Sequence, residues 1–452
     1  NMKKKLTVII LIVAMIAVVI GSVCYVNYDK LALTKDVETR AARVDEYAEV
    51  VAEAVDTQAG DRILINSSPL VADFANLVAK KCYELGAIGV NIRYSDGNMD
   101  KLQATYLNDP EYKGYYYDSA LDAYMQNTMP KNYKLIRIMS LSFGIDEPAN
   151  EKYMAYHSKS EAEKQTFMQE HNMLPENADN GQSAALLPNV PWVAAAYPTK
   201  SWAQKVYPEL NAEAAYNKML DDFLDFARIG KEGGFAAHEQ ELMDLAIKAN
   251  KLDIVELHYK SKTADLHVPL HPNSVFAGGP VKSSQGTLFE PNIPTEEIFS
   301  MPSKYGVNGT VTATRPVQMQ GEMVEGLKMT FKDGRLVDAS ADAGIDAFNT
   351  LFDLSAEEVY LGEAALVPKD SPIFKSGKVY YHMLIDENAG AHIALGNALV
   401  DYNLKSGAEI DKDINQAEYH MDITIGSEDL TVTATLKDGS QMELIKNGSW
   451  NF

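Results

Sequence analysis

The sequence has little cysteine and more acidic than basic residues, and both features exclude classes of protein. Its 452 residues include two cysteines, Cys24 and Cys82, and no Cys-x-x-Cys motif. A disulfide framework and a thiolate zinc site are therefore excluded. With 41 basic against 63 acidic residues, the net charge is −22. A protein that tracks nucleic-acid phosphates needs a basic face, so this charge argues against nucleic acid as a partner.

Several common catalytic motifs are also missing. The sequence contains no G-x-x-x-x-G-K-[ST] phosphate loop, no G-x-S-x-G nucleophile elbow and no H-E-x-x-H. Metal chemistry, if present, therefore depends on histidine and carboxylate side chains in some other arrangement.

One segment departs from the acidic average. Residues 6–26 carry no charged side chain and directly follow Lys3, Lys4 and Lys5. A helix of that length spans about 31 Å, close to one hydrocarbon core. The lysines predict that the N-terminus stays inside, so we expect one transmembrane helix with the body of the protein outside the cytoplasm. The alternative is a cleaved signal peptide that releases a secreted protein.

In the rest of the chain, the pattern of strand-like, helical and turn-like runs changes near residue 250. Before it, strand-like runs such as 63–65 and 134–139 alternate with helical stretches such as 70–85, which we expect to stop at Gly86. This alternation is typical of an α/β domain with a mostly parallel sheet. After residue 252, short alternating runs are separated by Asn-Gly and Asp-Gly signals such as Asn308-Gly309, which favour hairpin turns. The expected parts are lysines and anchor (1–28), a tether (29–36), an α/β N-terminal domain (37–250) and a β-rich α+β C-terminal domain (251–452).

Histidines and carboxylates in the second half have settings that suit metal ligands. His420 and Asp422 are two residues apart, and such side chains share one face of a strand. His392 stands among small residues. Glu363 lies in an apolar run, where an unpaired charge is costly. Each of them taken alone is better explained structurally, as a solvated strand face or a satisfied core group.

Glu296 and Glu297 are adjacent carboxylates, which repel each other unless a cation or a proton intervenes. They also suit an ordinary helix start after Thr295. Taken together, however, two glutamates, two histidines and one aspartate form the ligand set that a two-metal hydrolytic site requires. A carboxylate that is not a ligand would act as the general base.

The same residues lie in motifs that point to one family. The motifs are AAYPTKSWAQKVYP (195–208), LHYKSKTADLHVPL (257–270), PNIPTEE (291–297), VNGTV (307–311), TFKDGRLVD (330–338), YLGEAALVP (360–368), DSPI (370–373), DENAGAHIALG (386–396), HMDITIGS (420–427) and KNGSWNF (446–452). With these motifs the sequence resembles the thermophilic-type dinuclear metalloaminopeptidases, the family of AmpS and PepS. The resemblance covers about residues 37–452.

The resemblance implies a homodimer with a metal-bearing C-terminal domain that removes N-terminal residues from peptides. It implies two divalent metal ions, zinc in the first place and cobalt or manganese otherwise. The implied ligands are Glu297, Glu363, His392, His420 and Asp422. Glu296 is then the candidate base, although which of the two adjacent glutamates is the ligand stays open.

The sequence departs from the family at two points. A family tyrosine that stabilises the oxyanion is replaced by Leu399, and Tyr402 is the nearest candidate to substitute for it. The predicted membrane anchor is the second departure. We therefore expect a membrane-tethered metalloaminopeptidase, with a catalytically weakened or silent peptide-binding homologue as the alternative. A metal-dependent amidase acting on cell-wall peptides is a third possibility.

Overall fold

The computed structural model describes most of the chain from residue 38 onward. The described residues are 38–94, 132–141, 190–283, 286–319, 322–352, 354, 359–417 and 419–452. The chain divides into two units, 1–47 and 48–452. In the first unit the described residues, 38–47, are helical. The second unit contains all the described strands and all the described helices after the first one.

Helices are concentrated before residue 250 and become short after it. They are α1 (38–54), α2 (Ala72–Glu84), α3 (Lys200–Val206), α4 (Ala212–Phe226), α5 (Gly234–Asn250), α6 (Ile345–Leu351), α7 (Pro372–Ser376), α8 (Met383–Asp386) and α9 (Val400–Asn403). Short 3₁₀ turns occupy Pro69–Val71 and Glu387–Ala389.

Strands dominate the second half. In chain order they are β1 (Arg62–Ser67), β2 (Gly89–Tyr94), β3 (Tyr133–Met139), β4 (Trp192–Ala196), β5 (Ile254–Lys260), β6 (Ala264–Pro269), β7 (Val281–Lys282), β8 (Leu288–Phe289), β9 (Asn292–Ile293), β10 (Ile298–Ser300), β11 (Asn308–Thr312), β12 (Val317–Met319), β13 (Glu322–Val324), β14 (Lys328–Lys332), β15 (Arg335–Ser340), β16 (Leu361–Leu366), β17 (His392–Gly396), β18 (His420–Thr424), β19 (Thr431–Leu436), β20 (Gln441–Lys446) and β21 (Ser449–Trp450).

The first sheet has the order β2-β1-β3-β4-β9, and all of its pairs are parallel. The predicted mixed α/β fold with a parallel sheet is therefore confirmed. Its fifth strand, β9, comes from the part of the chain beyond residue 250, which the sequence pattern did not predict. Such a strand ties the two halves of the chain through backbone hydrogen bonds.

Two large antiparallel sheets dominate the described part of the second half, beside the two-stranded sheets β7-β8 and β12-β13. One has four strands in the order β10-β16-β17-β18, and the other has eight in the order β15-β14-β11-β6-β5-β19-β20-β21. Buried side chains of both sheets belong to one hydrophobic cluster, which also includes residues of α5 such as Leu242. The face of the four-stranded sheet that packs into this cluster is therefore rigidly held.

Local signals explain several of the boundaries. The Thr199 hydroxyl accepts a hydrogen bond from the Trp202 N–H and so caps α3, and Asn211 caps α4 in the same way. Gly86, the predicted stop of α2, has φ +103°. The expected turn at Asn308-Gly309 is instead the start of β11, where Gly309 allows close approach because a Cβ would lie 2.0 Å from the Asp265 carbonyl.

The predicted anchor at 6–26 and tether at 29–36 lie outside the described residues. Within the described ranges, no helix combines the length and the apolarity that crossing a membrane requires. The predicted boundary at residue 250 stays a prediction.

Candidate functional site

The four-stranded sheet brings four of the predicted ligands onto one face. Glu363 of β16 pairs with Ala394 of β17, and Ala394 pairs with Asp422 of β18. Paired residues of neighbouring strands share a face, and so do residues two apart on one strand, which places His392 and His420 on that face as well. The small Ala394 side chain leaves space between the two carboxylates.

A glycine sets the course of β16 just before Glu363. The pairing register shifts between Leu361 and Glu363, so Gly362 lies in a β-bulge. A Cβ on Gly362 would lie 2.2 Å from the carbonyl oxygen of Asn397 and 2.3 Å from that of Gly396. A bulge changes the direction of the neighbouring side chain. Gly362 therefore permits the backbone geometry that points Glu363 into the site.

The side chains of the five predicted ligands converge. His392 Nε2 lies 2.9 Å from Glu297 Oε2 and 3.2 Å from Glu363 Oε1. His420 Nε2 lies 3.5 Å from Glu363 Oε2 and 3.3 Å from Asp422 Oδ1. These residues form two groups of three potential ligands: Glu363 with Glu297 and His392, and Glu363 with His420 and Asp422. Within each group the donor atoms lie within 4.8 Å of one another. Glu363 belongs to both groups, so it stands where a bridging carboxylate would.

Both histidines are oriented through their second ring nitrogen. His392 Nδ1 lies 3.3 Å from the carbonyl oxygen of Gly390, and His420 Nδ1 lies 2.8 Å from that of Asn397. When Nδ1–H donates to a backbone carbonyl, Nε2 is the nitrogen that faces the carboxylates and would bind a metal ion in place of its proton. Metal-ligating histidines characteristically have this outer hydrogen bond.

The local potential is strongly negative. Burial opposes a charge on His420, but the neighbouring carboxylates, Asp422 first, outweigh it and raise its pKa to about 10. Burial likewise opposes protonation of His392, whereas Glu297 and Glu363 raise its pKa well above the usual range. Burial, together with Glu297 and Asp422, raises the pKa of Glu363 to about 7. A buried group of carboxylates with this potential attracts cations.

Glu387 and Asn388 belong to the same surroundings, and sequence reasoning missed both. Burial and the charges of Asp422 and Glu297 raise the pKa of Glu387 well above its ordinary value. A hydrogen bond from Glu387 contributes to the lowered pKa of Asp422. Asn388 Nδ2 donates to Glu387 Oε1 over 3.3 Å. Their place in the motif just before His392 was the available signal.

Glu296 faces away from the two groups of three and toward Arg228. Arg228 Nη1 lies 2.8 Å from Glu296 Oε1, and Nη2 donates to Oε2 over 2.9 Å. The Glu296 N–H donates to Asn388 Oδ1 over 2.7 Å. Burial raises the pKa of Glu296 to about 7, although Arg228 lowers it. The sequence offered no local signal for Arg228, which lies on the turn after α4, 68 residues from Glu296.

Tyr402 and Leu399 lie on and beside the short helix α9. Leu399 is half-buried and precedes the first helical residue, Val400. Burial raises the pKa of Tyr402 to about 12, against a smaller lowering by the Trp192 indole beside it. The Tyr402 hydroxyl therefore keeps its proton at neutral pH and is able to donate a hydrogen bond. Its role in the reaction stays a prediction.

Relatives of known name cover nearly the whole chain. It is 31% identical to aminopeptidase 2 of Geobacillus stearothermophilus over 419 residues, which cover 90% of this chain and 98% of that protein. It is 28% identical to aminopeptidase AmpS of Bacillus subtilis over 421 residues, or 91% of this chain and 98% of that protein. These relatives agree with the resemblance deduced from the motifs.

A solved structure supports the fold. Wild-type AmpT from Thermus thermophilus is similar with a TM-score of 0.76 at 27% identity, over 91% of this chain and 100% of that chain. The predicted enzyme class, a hydrolase of peptide bonds that depends on metal, is confirmed at the level of the family. Since residues 40–450 match the thermophilic metalloprotease (M29) family, the chain belongs to that family.

Proposed function

We propose that this protein is an aminopeptidase that uses two divalent metal ions to remove N-terminal residues from peptides. The observation that carries the proposal is the sharing of Glu363 by two groups of three potential ligands. Two-metal hydrolytic sites need such a shared carboxylate together with terminal imidazole or carboxylate ligands. Glu297 and His392 would complete one ion's ligands, and His420 and Asp422 those of the other.

The chemistry of these side chains fits divalent transition ions. Nitrogen and oxygen donors in mixed sets suit zinc, with cobalt or manganese as the alternatives that availability decides. The donors are buried apart from His420, which is partly exposed, so the centre has an open side. When bound, the ions lower the pKa of a water molecule and polarise the peptide carbonyl.

Glu296 is the proposed proton carrier. Its pKa of about 7 lies near neutral pH, where a carboxyl group both accepts and returns a proton. Arg228 Nη2 donates to one carboxylate oxygen and Nη1 lies in ion-pair contact with the other, and Asn388 Oδ1 accepts from the backbone N–H. In this proposal the Glu296 side chain turns from Arg228 toward the five ligands when substrate binds, takes up the proton lost by water and passes it to the leaving amine.

Substrate recognition follows from the same charges. The free α-amine of a peptide is cationic, and the carboxylates of Glu297, Glu363 and Asp422 give the site a negative potential. Tyr402 is the proposed donor to the developing oxyanion in place of the family tyrosine, which is Leu399 here. The alternative of a silent peptide-binding homologue depends on Leu399 alone, and the relatives' names do not favour it.

The test is hydrolysis by the full chain. Purified protein loaded with Zn²⁺ should release N-terminal residues from a panel of amino-acyl chromogens, and a chelator should abolish the activity. Peptides with a blocked α-amine serve as the substrate control and should not be cleaved. The absence of turnover by metal-loaded protein on every amino-acyl substrate would overturn the proposal.

The membrane anchor, the extracytoplasmic location and the homodimer stay predictions. The uncharged segment 6–26 after three lysines supports the anchor. Fractionation of cells that express the full chain tests it: the protein should stay with the membrane after an alkaline wash and be accessible to protease from outside. Release by the wash would contradict the anchor. Sedimentation of detergent-solubilised protein tests the dimer.

A further inference from the structure

A second group of histidines lies on a different sheet, on the solvent side of the β5–β6 hairpin. His258 of β5 pairs directly with His267 of β6. Asp265 and Glu256 are each two residues from one of the histidines, so all four share one face of the sheet. The residues that alternate with them, such as Tyr259, are fully buried on the other face.

The two imidazoles are arranged as a stacked pair with a carboxylate on each ring. Their centroids are 3.8 Å apart and their planes differ by 12°. His258 Nε2 lies 2.8 Å from Asp265 Oδ1, and His267 Nδ1 lies 3.0 Å from Glu256 Oε1. The side chains of His258, His267, Asp265 and Glu256 are 28%, 47%, 52% and 30% exposed. An ion from solvent therefore reaches them directly.

We propose that His258, His267 and Asp265 form a surface site for a divalent transition cation of the zinc class, on the solvent side of the β5–β6 hairpin. Donor atoms of these three residues lie within 4.8 Å of one another. A tetrahedral ion with bonds of about 2.0–2.2 Å holds its ligands about 3.4 Å apart. Side-chain rotation is enough to bring the donor atoms from separations of up to 4.8 Å to about 3.4 Å. The strands already place His258 opposite His267.

Imidazole selects this class of cation over magnesium or calcium, which prefer oxygen ligands throughout. Glu256 would serve either as a fourth ligand or as the hydrogen-bond partner that orients His267. Lys260, which forms an ion pair with Asp265, competes with a cation for that carboxylate. The bound ion would cross-link β5 and β6, two strands at the centre of the eight-stranded sheet.

The experiment counts Zn²⁺ in the full chain by equilibrium dialysis at micromolar free Zn²⁺ followed by elemental analysis. The parent protein should bind one more Zn²⁺ per chain than His258→Asn or His267→Asn, whose activity on amino-acyl substrates should be unchanged. Lys260→Gln, on the same face, removes the competing ammonium group and keeps all the proposed ligands. It should keep the extra ion and bind it about two- to fivefold more tightly, as loss of an exposed ion pair predicts.

Equal zinc counts in the parent and in folded histidine variants would overturn the proposal, because the ions then lie elsewhere. Binding that occurs only at millimolar Zn²⁺ would also overturn it. If the histidine variants do not fold, Lys260→Gln decides alone: unchanged affinity for every ion of the protein contradicts a site that includes Asp265.

Discussion

Arg228 holds both carboxylate oxygens of Glu296, with Nη1 2.8 Å from Oε1 and Nη2 2.9 Å from Oε2. The side chains of Arg228 and Glu296 are 21% and 4% exposed, so this is a largely buried ion pair. Such a pair fixes geometry and favours the ionised carboxylate. Glu296 is adjacent to Glu297 in the chain, so the pair also restrains the backbone that carries a proposed metal ligand.

Replacing Arg228 by methionine should move the pH dependence of catalysis. Burial raises the pKa of Glu296, and Arg228 opposes that rise. Without Arg228 the pKa of Glu296 climbs further, so the carboxylate becomes a competent base only at higher pH. The acidic limb of the profile of kcat/KM against pH should shift upward by about one unit or more. Arg228→Lys, which keeps the charge, should shift it less. A uniform loss of activity with an unmoved limb would contradict this role of Arg228.

Glu363→Gln should remove the one group that both sets of ligands share. We expect a lower metal content after dialysis and a loss of at least about 10³-fold in kcat/KM, since metal-supplied charge stabilisation is worth several kcal/mol. Glu428→Gln, on an exposed residue of the turn before β19, is the matched control and should change neither quantity. Full metal content with parental activity in Glu363→Gln would exclude the shared-carboxylate assignment.

Leu399 and Tyr402 together test where the oxyanion donor lies. If Tyr402 supplies it, Tyr402→Phe should lower kcat by about 10²-fold, in the range found for loss of one oxyanion donor. Leu399→Tyr should raise the parental kcat, and it should restore activity when combined with Tyr402→Phe. Stopped assays on a single chromogenic substrate separate these outcomes. Tyr402→Phe with parental kcat would show that Tyr402 is not the donor.

The proposed ligands were accessible from the sequence because they lie in the motifs that carry the family resemblance. Only the shared face of His420 and Asp422 follows from local geometry, the two-residue period of a strand. Arg228 and Glu387 were not accessible in the same way. The pairing of Arg228 with Glu296 depends on how the turn after α4 packs against the segment before β10, and no pattern within either segment encodes that.

The fold likewise has elements that the sequence predicts and elements that depend on tertiary contacts. The strands β1 to β4 and the stop of α2 at Gly86 follow from periodicity and turn chemistry. Strand β9 is two residues long and joins the parallel sheet at Ala194 and Ala195, so its membership depends on tertiary contact. Asn308-Gly309 has the sequence of a hairpin turn, but Gly309 lies inside β11, where it allows β6 to approach closely.

His238 should make the protein sensitive to acid. Burial, with a contribution from Arg228, lowers the pKa of His238 to about 4 from its usual 6.5, and its Nε2–H donates to the Thr295 carbonyl over 2.8 Å. The unfolded chain binds a proton there below pH about 6.5, whereas the folded protein binds it only near pH 4. Stability is therefore complete above pH 6.5 and falls as the pH drops through this window, by about 3 kcal/mol from this group.

His238→Gln removes that titration and keeps a side-chain donor. Urea unfolding at pH 7 and at pH 4.5 measures the outcome: the difference in free energy of unfolding between the two pH values should be smaller in the variant. The comparison within each protein cancels any constant cost of the substitution. An equal pH dependence in both proteins would show that other groups cause the acid sensitivity.

Gly362→Ala should damage the site through the backbone. The added Cβ would lie 2.2 Å from the carbonyl oxygen of Asn397 and 2.3 Å from that of Gly396, and both are backbone atoms of packed segments that cannot move cheaply. Overpacking of this kind costs about 1–3 kcal/mol. Because Glu363 is the next residue, relief of the clash displaces its carboxylate, and kcat/KM should fall more than the loss of folded protein accounts for.

The matched control for Gly362→Ala is Gly439→Ala in the turn between β19 and β20. Gly439 has φ +84° and open space around an added Cβ, so the change carries a left-handed backbone cost of about 1–2 kcal/mol without a clash. Both variants should lower the free energy of unfolding in urea, but only Gly362→Ala should lower kcat/KM per folded molecule and the metal content. If both variants keep parental kcat/KM, the bulge at Gly362 serves stability alone and does not position Glu363.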